Sequence, residues 1–233
     1  MSPPRLYHFP LSAPSRGAIL AAKNIGVPVE IIIIDLVKKE QFNESFIKIN
    51  PQHCVPTLDD DGFVIWESRA IACYLADKYG TNDDLYPKDL QRRAVVNQRL
   101  YFDSSFVYPR IRAICYPIIY DGVTEIKEKL KDDLNATLGF LNQFLEGNKW
   151  VAGDHLTIAD TAILASLSSI IVMGWDISSF PNIERWLKSC ADLPGYDDNI
   201  EGAKMFASIS VLKIKIISIL ISEKRPCTFE VIQ

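Results

Sequence analysis

The chain lacks an excess of basic charge. Its 25 Lys and Arg against 29 Asp and Glu give a formal net charge of −4, and the sequence pI near 5.4 leaves no positive field for nucleic acid or an anionic membrane surface. Paired cysteines are missing as well. Cys54, Cys73, Cys115, Cys190 and Cys227 are scattered, odd in number and without CxxC spacing, which argues against a disulfide framework or a metal site and for reduced thiols in the cytoplasm. Met1-Ser2-Pro3-Pro4-Arg5 has no apolar signal core. The apolar run over residues 209–221 contains Lys213 and Lys215 and is too short and too charged to span a bilayer. It reads as a buried terminal helix, followed by a patternless end.

What remains is a globular chain, 233 residues long and 48% hydrophobic, able to bury a core in one domain or two. Residues 5–9 predict a strand, and a turn through Pro10 and Pro14 leads to a helix over about 15–26 with Gly26 as its stop. The β-branched run 29–35 predicts a strand buried on both faces, and residues 38–50 a polar irregular segment. A hairpin and a helix over 67–79 complete a small sheet covered by helices. Residues 81–89 are polar and aperiodic and read as a linker between a first domain (1–80) and a second (90–208), with an atypical tail over 209–233.

After the linker the pattern is helical throughout. Residues 90–116 predict a long helix kinked or interrupted at Pro109. Residues 124–145 repeat apolar side chains at Ile126, Leu130, Leu134, Leu138, Leu141 and Leu145, an amphipathic helix. Thr157-Ile158-Ala159-Asp160 is a capping-box variant ahead of an apolar run, so Asp160 is read as a structural cap. A last helix over 181–193 turns Trp186 inward, and Trp66 and Tyr74 read as core.

The stretch 50–71 carries the most chemistry. Pro56 before an apolar strand fits an edge, a first strand residue or a tight cis turn, and in the last two cases Val55 presents an unpaired N–H and C=O. Asp61-Gly62 is a hairpin turn. Glu67-Ser68-Arg69 then opens a helix whose first N–H groups form an anion site with a carboxylate and a guanidinium beside it. That set suits a zwitterion: Ser68 and the N–H groups for a carboxylate, Glu67 for an ammonium, Val55 for a peptide backbone added as a strand. The alternative is a hairpin followed by an ordinary capped helix. Ser12 is, on the same terms, a helix N-cap, and His53 an exposed turn histidine.

Ser12-Ala13-Pro14-Ser15-Arg16, Asn50 through Leu58, Trp66 through Ile71 and Leu156 through Asp160 together resemble a cytosolic glutathione transferase of the insect delta class, with the epsilon class the near alternative. The resemblance covers residues 6–202. It implies an α/β thioredoxin-like N-terminal domain, an all-α C-terminal domain and a homodimer that uses glutathione as co-substrate. The implied activity is conjugation of small hydrophobic electrophiles in detoxification, with dehydrochlorinase or peroxidase side activity. A carrier of hydrophobic ligands on the same fold is the competing function.

The resemblance also implies the site. Ser12 would bond the glutathione sulfur. Gln41 and His53 would lie at the glycyl end, Val55 and Pro56 at the cysteinyl backbone, Glu67, Ser68 and Arg69 at the γ-glutamyl end, with Asp103 and Thr161 in support. The electrophile would meet Phe9, Ala13, Pro14 and Leu36 from the first domain. Tyr108, Ile111, Arg112, Tyr116, Ile119 and Tyr120 would face it from the second. Leu11 and Ser15 depart from the common delta pattern. Gln41 stands where a histidine can contact the glycyl carboxylate. Without a thiol at position 12 or 15, disulfide-exchange chemistry is disfavoured.

Overall fold

The computed structural model describes the backbone of residues 2–223 and the side chains through Ile209. Four strands, β1 (Arg5–His8), β2 (Glu30–Ile33), β3 (Thr57–Asp60) and β4 (Phe63–Trp66), form one mixed sheet. The order is β2-β1-β3-β4. β1 runs parallel to β2 and antiparallel to β3, and β3 and β4 make the hairpin expected at Asp61-Gly62, both residues at positive φ. Alternation along β1 sorts its side chains. Leu6, opposite Leu58, is buried in the main core with α1 (Ala13–Ile25) and α3 (Ser68–Tyr79). Tyr7 packs on the other face with Ile34 and Phe46.

Four expectations for this half change. Helix α1 begins at Ala13, two residues before the expected start, because Ser12 caps it and Pro14 is tolerated in a first turn. Strand β2 is an edge strand, with Ile31 46% and Ile33 51% exposed; an apolar run reads the same whether or not a second neighbour covers it. Residues 38–50 hold a single 3₁₀ turn (Glu40–Phe42) and the short helix α2 (Glu44–Ile47). Trp66 and Tyr74 are half-buried, and the Tyr74 hydroxyl donates to Asp60 at 2.6 Å.

The second half is α4 (Leu90–Phe102), α5 (Tyr108–Tyr120), α6 (Glu128–Phe144), α7 (Ile158–Ile171), α8 (Pro181–Cys190) and α9 (Tyr196–Glu223). The interruption expected at Pro109 appears just before it, as a π-helical turn over Asp103–Val107 in which the Tyr108 N–H reaches the Asp103 carbonyl. Helix α6 starts at Glu128, four residues later than the expected start at 124. The face bearing Leu134, Leu138, Leu141 and Leu145 is fully buried. Backbone helix runs through the apolar segment to Glu223; the burial expected for residues 210–221 and the end of the chain lie outside the described side chains. Among the described residues no helix is long and apolar enough to cross a membrane.

The capping box at the start of α7 is present, with the Thr157 N–H donating to Asp160 Oδ2 at 2.9 Å. Trp186 of α8 is fully buried and its Nε1 donates to Asp160 Oδ1 at 3.0 Å. At the junction of the two halves, α9 passes so close to the Pro10 loop that a Cβ on Gly202 would sit 2.5 Å from the Pro10 carbonyl oxygen and 2.7 Å from Arg16 Cδ. A backbone atom cannot yield as a flexible side chain can. Gly202→Ala is therefore expected to cost about 1–3 kcal/mol by thermal melting and to lower turnover by displacing the loop; an unchanged melting temperature would refute the close approach.

Candidate functional site

The site is built first from the start of α1. The Ser12 side chain is the N-cap of this helix and accepts from the Ser15 N–H at 3.4 Å. A hydroxyl that accepts in this way retains its hydrogen for donation elsewhere. The first turn carries no acidic side chain, so the positive end of the helix dipole is uncancelled beside it. The loop before Ser12 is held by Arg16, a buried guanidinium. It donates to the Pro10 and Leu11 carbonyls at 3.2 and 3.0 Å, to Asn199 Oδ1 at 3.0 Å on α9, and on α7 to the Ala165 carbonyl at 3.1 Å and Ser169 Oγ at 2.7 Å. Burial lowers the Arg16 pKa to about 10, which leaves it a cation at neutral pH.

The polar end of the cleft comes next. Asn50 Nδ2 donates to Thr57 Oγ1 at 2.8 Å and Thr57 Oγ1 to the Cys54 carbonyl at 2.8 Å, which fixes the turn ahead of the cis Val55-Pro56 bond. Glu67, the residue before α3, has φ 74°. This is a conformation that costs a non-glycine residue of order 1–3 kcal/mol and is concentrated at functional sites. Ser68 is buried and accepts from Arg69 at 3.0 Å. Arg69 in turn grips Asp103 Oδ2 through Nε at 2.9 Å and through a second nitrogen, and the π-helical turn places the fully buried Asp103 there. Val55, Pro56, Glu67, Ser68 and Arg69 line a cavity of about 460 Å³.

That cavity shares Pro14, Cys54, Val55, Tyr108 and Arg112 with a more apolar one of about 520 Å³, so the two are halves of one cleft. Ser12 lines the apolar half close to the shared residues. Phe9, Leu36, Ile119 and Tyr120 line it too, as do Gln41 and His53 at its polar margin. Tyr108, Tyr116 and Tyr120 share the face that faces the cleft because α5 runs on past Pro109. Arg112 lies over the Tyr116 ring at 4.4 Å. Burial, with Tyr116 beside it, pushes the Tyr108 hydroxyl up in pKa, so it remains protonated and able to donate.

Two of the expected residues sit in an adjoining narrow pocket, Ala13 and the buried Ile111. Thr161 is not brought into the cleft; its hydroxyl donates to the Ile158 carbonyl at 2.8 Å within α7. His53 is an exposed turn residue at φ 42°, its ring 4.8 Å from that of Phe42. Gln41 Oε1 is buried without a partner. Asp160 lies outside the cleft and is structural.

Sequence reasoning missed Leu11, Val37, Lys39, Phe206 and Ile209, all cleft-lining. Phe206 and Ile209 are three apart on an apolar helix, a spacing that could have singled them out; Lys39 left no signal. Cys54 also lines the cleft. Burial raises its pKa, with Glu67 adding to the effect, so it competes poorly as a nucleophile. The four described cysteines are free thiols. Among the described residues no group of three or more potential metal ligands stands together.

The chain is thus a thioredoxin-like sheet domain docked on a helical domain, with a cleft polar at one end and apolar at the other. Comparison with known proteins agrees. Residues 2–77 match the glutathione S-transferase N-terminal domain and residues 106–194 its C-terminal domain. Drosophila melanogaster glutathione S-transferase D7 is 44% identical over 216 residues, 90% of this chain and 96% of its own. The structure of glutathione S-transferase unclassified 2 from Bombyx mori is 67% identical, with TM-score 0.88, covering 91% of this chain and 99% of its own. That of a Nilaparvata lugens delta-class glutathione transferase is 47% identical, with TM-score 0.87, covering 91% and 100%. The chain belongs to the glutathione S-transferase family and is a glutathione transferase, with delta-class relatives as its motifs imply.

Proposed function

We propose that the enzyme ionises the glutathione thiol at Ser12 and adds the thiolate to an electrophilic carbon of an apolar molecule in the other half of the cleft. A thiol near pKa 8.5 is only about 3% thiolate at pH 7, and the thiolate is the nucleophile. Lowering the pKa by about two units makes it mostly thiolate and requires about 2.7 kcal/mol of preferential stabilisation of the charged form. The observation that carries the reading is the Ser12 hydroxyl, whose oxygen is used by the helix it caps while its hydrogen is left for the sulfur. The uncancelled helix dipole adds field of the same sign. Ser12 stabilises the nucleophile of the substrate and is not itself the nucleophile.

In this assignment Glu67 takes the ammonium and Ser68 the carboxylate of the γ-glutamyl end, with the Arg69–Asp103 pair holding Ser68 in place. Val55 meets the cysteinyl backbone as an added strand, and Gln41 and His53 receive the glycyl end. The aromatic wall of α5 takes the electrophile. Residues 81–89 are assigned as the linker between the domains. A homodimer and a cytoplasmic role in detoxification belong to the same reading.

The deciding measurement is a thiol titration of bound glutathione, following thiolate absorbance near 240 nm against pH. The bound pKa is expected about two units below that of the free tripeptide. Binding with no shift would sink thiolate activation and leave a carrier of glutathione and apolar ligands.

A further inference from the structure

The electrophile half of the cleft carries a positive charge. Three cavities meet along α5: the polar half of the cleft, its apolar half and the narrow pocket beside Ala13. Tyr108 and Arg112 border all of them. Ser12 borders the apolar half and the narrow pocket, and Arg112 shares both with it. A guanidinium on α5 therefore lines the same space as the hydroxyl proposed to hold the sulfur.

Local sequence puts it there. Arg112, Tyr116 and Tyr120 recur at every fourth position, so they stand in one row on the helix. The guanidinium lies over the Tyr116 ring at 4.4 Å, and that ring meets Tyr120 edge-on with centroids 5.2 Å apart. The row is an aromatic surface with a cation at one end. A ring attracts the charge of a guanidinium without accepting its N–H groups as a carboxylate does. The other cations of the cleft are placed differently. Arg69 is gripped by Asp103 at the polar end, where Glu67 also lies. Lys39 lines the apolar half from the turn before Gln41, not from α5.

We propose that Arg112 determines the class of electrophile: a flat aromatic molecule bearing a carboxylate, its ring along Tyr116 and Tyr120 and its anion on the guanidinium. The inference rests on the thiolate reading of the cleft and narrows its substrate. A planar fork of donors matches a carboxylate in two bonds, which an ammonium point charge does not. The rings beside the pair limit the solvent that makes exposed ion pairs weak.

The test compares 4-chloro-3,5-dinitrobenzoate with its uncharged methyl ester, each rate taken relative to the uncatalysed reaction with glutathione. In both, the thiolate sulfur bonds to the ring carbon that carries chlorine, the carbon–chlorine bond breaks, and chloride leaves with the bonding pair. The wild type should favour the acid about tenfold in kcat/KM, the scale of a charge-assisted hydrogen bond. Arg112 is exposed, so replacing it spares the core. Arg112→Leu should abolish the preference, mainly through KM, with ester turnover within about threefold of wild type. Arg112→Lys should keep part of it, because the charge survives and the fork does not. Binding of 3,5-dinitrobenzoate, which has no leaving group, to the glutathione complex should weaken about tenfold in Arg112→Leu by titration calorimetry. The pKa of the bound thiol should stay where it is in the wild type. Equal losses for acid and ester would overturn the proposal and leave Arg112 a packing partner of Tyr116. A thiol pKa raised in Arg112→Leu would overturn it as well and assign the guanidinium to the sulfur. A wild-type thiol pKa that is not depressed sinks the thiolate reading; the binding of 3,5-dinitrobenzoate then still decides this inference, which falls if Arg112→Leu leaves that binding unchanged.

Discussion

Ser12→Ala is expected to lower turnover about a hundredfold, the scale on which removing one donor to a developing or resident anion acts, while the Michaelis constant for glutathione moves by less than about threefold. The tripeptide is held through its two ends and its backbone, none of which touches residue 12 in the proposed assignment, so affinity survives. Ionisation of the thiol does not. The pH profile gives the signature: the loss should shrink as pH rises past about 8.5, where the thiol ionises without help. Because Ser12 also caps α1, alanine costs about 1 kcal/mol of stability, which a melting curve reads separately. A raised Michaelis constant with turnover intact would make Ser12 a binding group only.

The second large effect is on stability. Asp160→Ala is expected to cost about 3–5 kcal/mol, the scale for breaking a buried charged network. The fully buried carboxylate accepts from the Val151 N–H at 2.9 Å, the Thr157 N–H at 2.9 Å, Thr157 Oγ1 at 3.0 Å and Trp186 Nε1 at 3.0 Å. Alanine orphans all four donors and leaves a void. Burial also raises the Asp160 pKa from 3.8 to about 6, against the pull of those same donors. The folded state then holds its proton more tightly than the unfolded chain between those values, so this group's contribution falls as pH rises through the window, by about 3 kcal/mol in all. Asp160→Asn cannot titrate. The stability difference between wild type and Asp160→Asn should therefore shift in the variant's favour from pH 4 to pH 6; a constant difference would refute the raised pKa.

Much of this was legible because several residues carry their structure locally. Gly26, Asp61-Gly62 and the Thr157 to Asp160 box each dictate a backbone conformation within four residues, and each stands where expected. Trp186 lay on the apolar side of its helix and is buried. Most of the expected cleft residues do gather in one cleft, since the motifs that mark them sit at strand ends and helix starts facing the domain junction. What failed depends on neighbours distant in sequence. The run through Ile31 and Ile33 is as apolar as an interior strand, yet whether another strand or helix covers it is decided elsewhere. Helix α1 starts early because a proline that reads as a breaker is harmless in a first turn. Thr161 belonged to the right motif, but its hydroxyl is claimed inside its own helix.

The Arg16 junction has a consequence for the birth of the enzyme. The loop bearing Ser12 is synthesised well before α7 and Asn199 of α9, where the guanidinium that steadies it finds its partners. A nascent chain that has already made all four strands still lacks the partners that steady this loop. The loop proposed to serve the thiol thus awaits α9, and a product truncated before that helix would lack both the Asn199 bond to Arg16 and the wall to which Phe206 and Ile209 contribute.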